Sequence, residues 1–344
     1  MAYNDLGSYE EIRNTINGWT VPPVNKSQID PAALAKSTSG YAVEQFQWSS
    51  YHQLIEMTDN NEVKDLFAQF ALWEENHQSL MGSLIDPSTT LIERSLELEM
   101  TAIMGFVDAA QLETNEAAKN AYDYMLLDHL TQAKAIADMA SSGDMNPEAI
   151  FGSQLQVQEG RPFQEQIVPS SDLLKEPLNK DADDITSFVR LHTLLANEEQ
   201  LRNTLQLIRT MLPSTEMRQL YNMVTVVENF HTTMLDSLQD PTTTPLEYVM
   251  TNELMEVRNH RLGMQMAQAE SARAAHEFAM NGDQYHLSTL QDAYSKIEKG
   301  DPSKFSVTDR LFTMPQMLAN DYINQVMQTQ MNLRPRGTGF ELAA

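Results

Sequence analysis

Apolar residues fall at i, i+3 and i+4 through two long stretches, about 38–143 and 185–299, with Glu, Gln, Asn and Lys prominent between them. That period marks amphipathic helices, and the Ala, Leu, Met, Glu and Gln that dominate both stretches favour the helical state. Runs alternating with a period of two, which would mark strands, are scarce. The fold class read from this pattern is all-α. Residues 144–184 hold four prolines and little periodicity, as expected of a linker packed on the surface. Residues 1–37 read as an N-terminal extension, and residues 300–344 as a C-terminal tail with one helix near Pro315–Gln330.

The two helical stretches are written in one register. "ALWEENHQSLMGSLIDPSTTLIE" from Ala71 and "TVVENFHTTMLDSLQDPTTTPLE" from Thr225 share a Glu, an Asn, a His, an Asp-Pro and a Thr-Thr. An offset of 154 residues carries Glu44 onto Glu198, Glu74 onto Glu228, His77 onto His231 and Glu99 onto Glu253. No gap is needed over roughly a hundred residues, which points to internal duplication of one helical domain. The expected organisation is a first domain at 38–143 and a second at 185–299.

Spacing within each domain predicts hairpins. Glu44 and Glu74 are 30 residues apart, and the turn signal "MTDNN" is centred midway, on Asp59. Residues equidistant from a hairpin turn lie at one height on facing helices, here roughly 22 Å from the turn at 1.5 Å per residue. His77, three residues past Glu74, projects from the same face. Glu198, Glu228 and His231 repeat the unit around Pro213, a helix breaker. A shift of 55 residues gives two further hairpins: Glu99 with His129 and Gln132 around Thr114, and Glu253 with Asp283 and His286. Asp128, beside His129, is a further candidate. "NGD" at 281–283 is a local break signal just before the last acid–His pair. Asp86 and Pro87 read as N-cap and first residue of the helix that follows the second.

Acids converging at one level of a helical bundle repel one another and lose hydration, so cations or protons must compensate. One Glu from each of two helices and Glu-x-x-His from each of the other two is the carboxylate solution for a pair of metal ions. On these residues the chain resembles the ferritin-like superfamily of di-iron and di-manganese carboxylate proteins, over about 38–140 and 190–295. Its hairpin unit is also similar to that of the encapsulated ferritins, in which two hairpins build one site. The resemblance implies two tandem four-helix bundles related by duplication. It also implies two divalent ions per site, iron or manganese with zinc as a third option, and oxygen or peroxide chemistry or iron oxidation. The ligand set it implies is Glu44, Glu74, His77, Glu99, His129, Glu198, Glu228, His231, Glu253, Asp283 and His286. His129 and Gln132 depart from the family's acid and His, and a structural core histidine is the other reading of His129. The link "IDPSTT" is too short to return along a bundle. It leaves two pairings open: hairpins within each half, or the first with the third and the second with the fourth. A scaffold without catalysis, like ferritin-fold spore-coat proteins, is the rival functional reading.

Composition narrows the chemistry. Cysteine is absent, which excludes disulfides and thiolate ligands and leaves oxygen and nitrogen donors for any metal. The formal net charge of −25 disfavours nucleic acid or an anionic membrane as partner. No apolar run reaches the length of a membrane span, and the N-terminus lacks a signal-peptide pattern, so a cytoplasmic location is the expectation. Two short bundles would leave Met-rich apolar surface uncovered, so a homo-oligomer is expected, with a shell or coat as a possible assembly partner. His52, His192, His260 and His276 have no counterparts across the repeat and read as surface or packing residues. Tyr41, Trp48, Tyr51 and Trp73 read as core near the first hairpin.

Overall fold

The structure, a computed structural model, describes residues 21–141, 148–151, 155–166 and 177–333. The described residues contain helices and no strand. The helices are α1 Pro31–Met57, α2 Asn61–Ser83, α3 Leu91–Leu112, α4 Glu116–Ser141, the single turn α5 Glu148–Phe151, α6 Ile185–Met211, α7 Thr215–Ser237, α8 Pro245–Met266, α9 Glu270–Ile297 and α10 Ala319–Leu333. No helix is long and apolar enough to cross a membrane.

The turns fall where the spacing predicts them. α1 gives way to α2 through 58–60, α3 to α4 through 113–115 and α6 to α7 through 212–214. Side chains cap the new starts: Asn60 accepts from Glu62 N and Val63 N, and Ser214 from Met217 N. Asp86 is not the N-cap of α3. Thr90 is, in a capping box with Glu93 that is repeated by Thr244 and Glu247 at α8. Asp86 instead accepts hydrogen bonds from Ser88 N and from Lys26 N, at 2.8 and 2.9 Å. The tail helix begins at Ala319 rather than near Pro315, after two short 3-10 turns at Pro302–Phe305 and Asp309–Phe312.

Each of α6, α7, α8 and α9 begins 154 residues after α1, α2, α3 and α4 respectively. The correspondence extends upstream of residue 38. Leading into α1, Val24 N donates to Leu84 O at 2.9 Å and Lys26 Nζ reaches Glu93 at 2.8 Å. Leading into α6, Leu178 N donates to Leu238 O at 2.9 Å and Lys180 Nζ reaches Glu247 at 2.6 Å. Residues 31–37 thus lie within α1, and residues 24–30 and 178–184 are tied by these bonds to the helical hairpins that follow them.

Packing answers the pairing question in a third way. The first hairpin (α1, α2) packs on the fourth (α8, α9), through α1 against α8 and α2 against α9. The second (α3, α4) packs on the third (α6, α7), through α3 against α6 and α4 against α7. Neither expected pairing is the one observed. The short 84–90 link carries α3 onto the flank of α1, and the equivalent link carries α8 onto the flank of α6. Each hairpin then covers its apolar face with a hairpin from the other half. The two bundles meet along α1, α3, α6 and α8. Burial follows. Ser187–Glu198 of α6 and Val249–His260 of α8 are buried without interruption, whereas α2 and α7 are buried only along one stripe.

Candidate metal centres

Both bundles bring their acids and imidazoles to a common level, and the two results differ. In the first bundle, α1 supplies Glu44, α2 supplies Glu74 and His77, α8 supplies Glu253, and α9 supplies Asp283 and His286; all six are buried. His77 Nδ1 lies 3.4 Å from Glu44, 3.3 Å from Glu74 and 3.2 Å from Asp283. His286 Nδ1 lies 2.9 Å from Glu74 and 3.5 Å from Glu253. Two overlapping groups could each hold a metal ion: Glu44, Glu74, His77 and Asp283, and Glu74, Glu253, Asp283 and His286. Within each group the donor atoms lie within 4.8 Å of one another, and Glu74 and Asp283 belong to both.

The "NGD" signal does not interrupt α9, which runs unbroken through Gly282. The glycine serves packing instead. A Cβ built there would lie 2.4 Å from His77 Cε1, so the missing side chain is the room His77 occupies.

Further buried groups close around this centre. His260 Nε2 donates to Glu44 Oε1 at 2.6 Å, and its Nδ1 is 2.9 Å from His276 Nδ1. Gln47 Nε2 donates to Glu253 Oε1 at 2.9 Å, and the Tyr51 hydroxyl donates to the same oxygen. Glu256, one turn past Glu253, is fully buried with both carboxyl oxygens unpartnered. Both oxygens of Glu74 and Asp283, and both ring nitrogens of His77 and His286, also lack a hydrogen bond of good geometry. Buried polar atoms are normally satisfied, so this concentration of orphaned atoms calls for compensation that a bound cation could supply.

The electrostatics agree. Burial, with Glu44 close by, pushes Asp283 up to about 7. Burial, followed by the charges of Glu74 and Glu253, pushes Glu256 well above the usual carboxylate range. Burial disfavours the His286 cation, yet Glu253 and Glu74 outweigh it and push the imidazole up to about 10. Protons are held wherever positive charge is short.

In the second bundle, α3 supplies Glu99, α4 supplies His129 and Gln132, α6 supplies Glu198, and α7 supplies Glu228 and His231, all fully buried. His129 bridges two acids, with Nδ1 3.0 Å from Glu99 and Nε2 2.7 Å from Glu198. His231 Nδ1 lies 3.4 Å from Glu228, while its Nε2 pairs with Asp128 at 3.0 Å. Arg161 completes the chain. Its Nε is 2.9 Å from Asp128, and its guanidinium lies over the Tyr124 ring at 3.4 Å from the centroid. One group could hold a metal here: His129, Glu198, Glu228 and His231. Glu99 lies outside it, and Gln132, at the position of the missing His, is buried with its amide unpartnered.

Four residues of these centres escaped the sequence reading. His260 and His276 are fully buried, one bonded to a candidate ligand and the other to its partner imidazole, and are not ordinary surface or packing residues. Glu256 and His260 lie three and seven residues past Glu253, along one helix face, and that spacing was a usable signal. Arg161, in the supposed surface linker, gave none. His52 is exposed beside Trp48, and His192 packs between Asn252 and Gln239. Tyr51 is more than core filling because it holds Glu253, and Trp73 lies 6.2 Å from the His286 ring. No family model, no curated protein and no solved structure matches this chain.

Proposed function

We propose that the chain is an internally duplicated ferritin-like protein whose first bundle holds a pair of iron or manganese ions. The observation that carries this reading is the pair of overlapping ligand groups sharing Glu74 and Asp283. The donors fit the ions: four carboxylates and two imidazoles, buried, with most donor atoms free of other partners. Glu44, Glu74, His77, Glu253, Asp283 and His286 would hold the pair, with Glu74 and Asp283 common to both ligand groups. Bound there, the metals would supply electron exchange with dioxygen or peroxide, which makes the chain an oxidoreductase or an iron oxidase. The protein's part is orientation and seclusion. His260 fixes Glu44, while Gln47 and Tyr51 fix Glu253, so the carboxylates are aimed before an ion arrives.

The second centre supports a different role. Arg161, His129 and His231 already distribute positive charge over Asp128, Glu99, Glu198 and Glu228, which makes it an ion-paired core holding at most one ion. Metal analysis of protein prepared without chelators tests the assignment, with about two iron or manganese ions per chain expected at the first centre. Protein that stays metal-free after incubation with Fe(II) or Mn(II) would favour the scaffold reading.

A further inference from the structure

The α1–α2 turn at 58–60 and the α6–α7 turn at 212–214 are the same scaffold element, 154 residues apart, yet their tips show solvent different surfaces. Around the α6–α7 tip, Leu207, Met211, Met223 and Val226 are between 45 and 62 % exposed. Leu207 and Met211 are four residues apart on α6, and Met223 and Val226 three apart on α7, so each pair shares a helix face. An open groove of about 580 Å³ joins the two helices, with Arg209, Arg218 and Met223 in its wall. Apolar side chains gathered in this way mark a contact surface.

The charges of the two tips are opposite. From 203 to 226 the chain carries Arg209 and Arg218 against Glu216, a formal balance of one positive charge in a molecule of net charge −25. Arg202, just outside, is balanced by Glu199 and Asp236. Arg209 Nη1 donates to Asn222 Oδ1 at 2.7 Å and Arg218 Nε to Leu212 O at 2.7 Å. Both partners are neutral, and neither arginine is in an ion pair among the described residues. Over the equivalent 49–72, Glu56, Asp59, Glu62 and Asp65 are all exposed and face Lys64 alone, a balance of three negative charges. Met57, at the position of Met211, stands among these acids and is 73 % exposed. Two copies of one tip would set like charges together, whereas the unlike tips attract.

We infer that the α6–α7 tip docks on the α1–α2 tip of a second copy of this chain, with Met57 entering the groove and the acids around it facing Arg209 and Arg218. Each chain carries one tip of each kind, so the contact is head-to-tail and closes into a ring or runs on as a filament. Both tips lie outside the candidate metal centres, and the inference goes beyond the function proposed above.

Sedimentation velocity on the whole chain, as purified and after chelation, tests it. Concentration-dependent assembly is expected in both states, so loss of the metal reading leaves this one standing. Salt at about 1 M, where the screening length falls to about 3 Å, should weaken assembly. Arg209→Glu with Arg218→Glu gives a chain with two acidic tips, and Glu56→Arg with Glu62→Arg gives one with two basic tips. Each should stay monomeric alone, and the two should assemble when mixed. In wild-type protein, brief oxidation read by mass spectrometry should find Met57, Met211 and Met223 protected by assembly. Met314 and Met317, exposed elsewhere, should react as in the monomer. This measurement needs no variant. A monomer at every concentration, assembly unaffected by salt, assembly of either variant alone, no assembly of the mixture or protection confined to Met314 and Met317 would each overturn the assignment.

Discussion

The two bundles are built from equivalent helices at a constant offset, yet they solve the problem of buried acids differently. In the first, Glu256 adds a fifth carboxylate, and Glu74, Asp283, His77 and His286 lack hydrogen bonds of good geometry, as both oxygens of Glu228 and Nδ1 of His231 do in the second. In the second, His129 and Gln132 stand where the first has Asp283 and His286. Asp128 then takes one face of His231, and Arg161 takes Asp128. Buried like charges need compensation in either case. The first bundle sets only the imidazoles of His77, His260 and His286 among its acids, and the second adds a guanidinium, Arg161 on Asp128. Equivalent helices therefore do not by themselves reproduce a site: His129 and Gln132 stand in place of an acid and a His, and Arg161 adds a cation.

The largest contrast should come from the acid shared by both ligand groups of the first centre. Glu74→Ala removes a donor from both ligand groups of the first centre and should lower bound metal by about two ions per chain. Glu228→Ala, its equivalent, should lower it by about one at most. Elemental analysis with circular dichroism as a folding check measures both; equal losses would mean the centres are not different after all.

Arg161→Ala probes the other side. It leaves Asp128 buried with only His231 and should destabilise the fold by about 3 kcal/mol in urea unfolding. Metal content at the first centre should stay as it was. Gly282→Ala should cost about 1–3 kcal/mol, since the new methyl must displace His77. Unlike Arg161→Ala, it should also weaken metal binding at the first centre, as equilibrium titration with Mn(II) would report.

The smallest effect is a pH dependence confined to metal-free protein. His286 is raised from 6.5 to about 10, so its contribution is full below pH 6.5 and is lost as pH rises through 10. Asp283, raised from 3.8 to about 7, has the same sign: its contribution is present below 3.8 and lost as pH rises through 7. Glu44, held below its usual range mainly by His77 and His260 against burial, opposes them only as the solution becomes acidic. The melting temperature of metal-free protein should therefore fall between pH 6.5 and 10, and metal-loaded protein should resist that fall. Parallel curves for the two forms would show that the ions do not replace these protons.

Much of this was legible in the sequence because it is local. The 3.6-residue period produced the helices, the midpoints Asp59, Thr114 and Pro213 fell in the observed turns, and Glu-x-x-His placed two donors on one face. The asymmetry was legible only in part. His129 and Gln132 announced it, but searching for residues that match across the repeat set aside Glu256 and His260, which have no counterpart.

The sequence by itself determined which elements form, where they turn, and at what height along each helix the acids and imidazoles sit. Helix period and turn chemistry act between residues a few positions apart, so they need no knowledge of the rest of the chain. Only the tertiary structure decided that the first hairpin meets the fourth and the second meets the third. It also brought His260 onto Glu44 and Arg161 onto Asp128. Those outcomes depend on which apolar faces can close on one another around short links, and that competition is settled by packing across the whole chain.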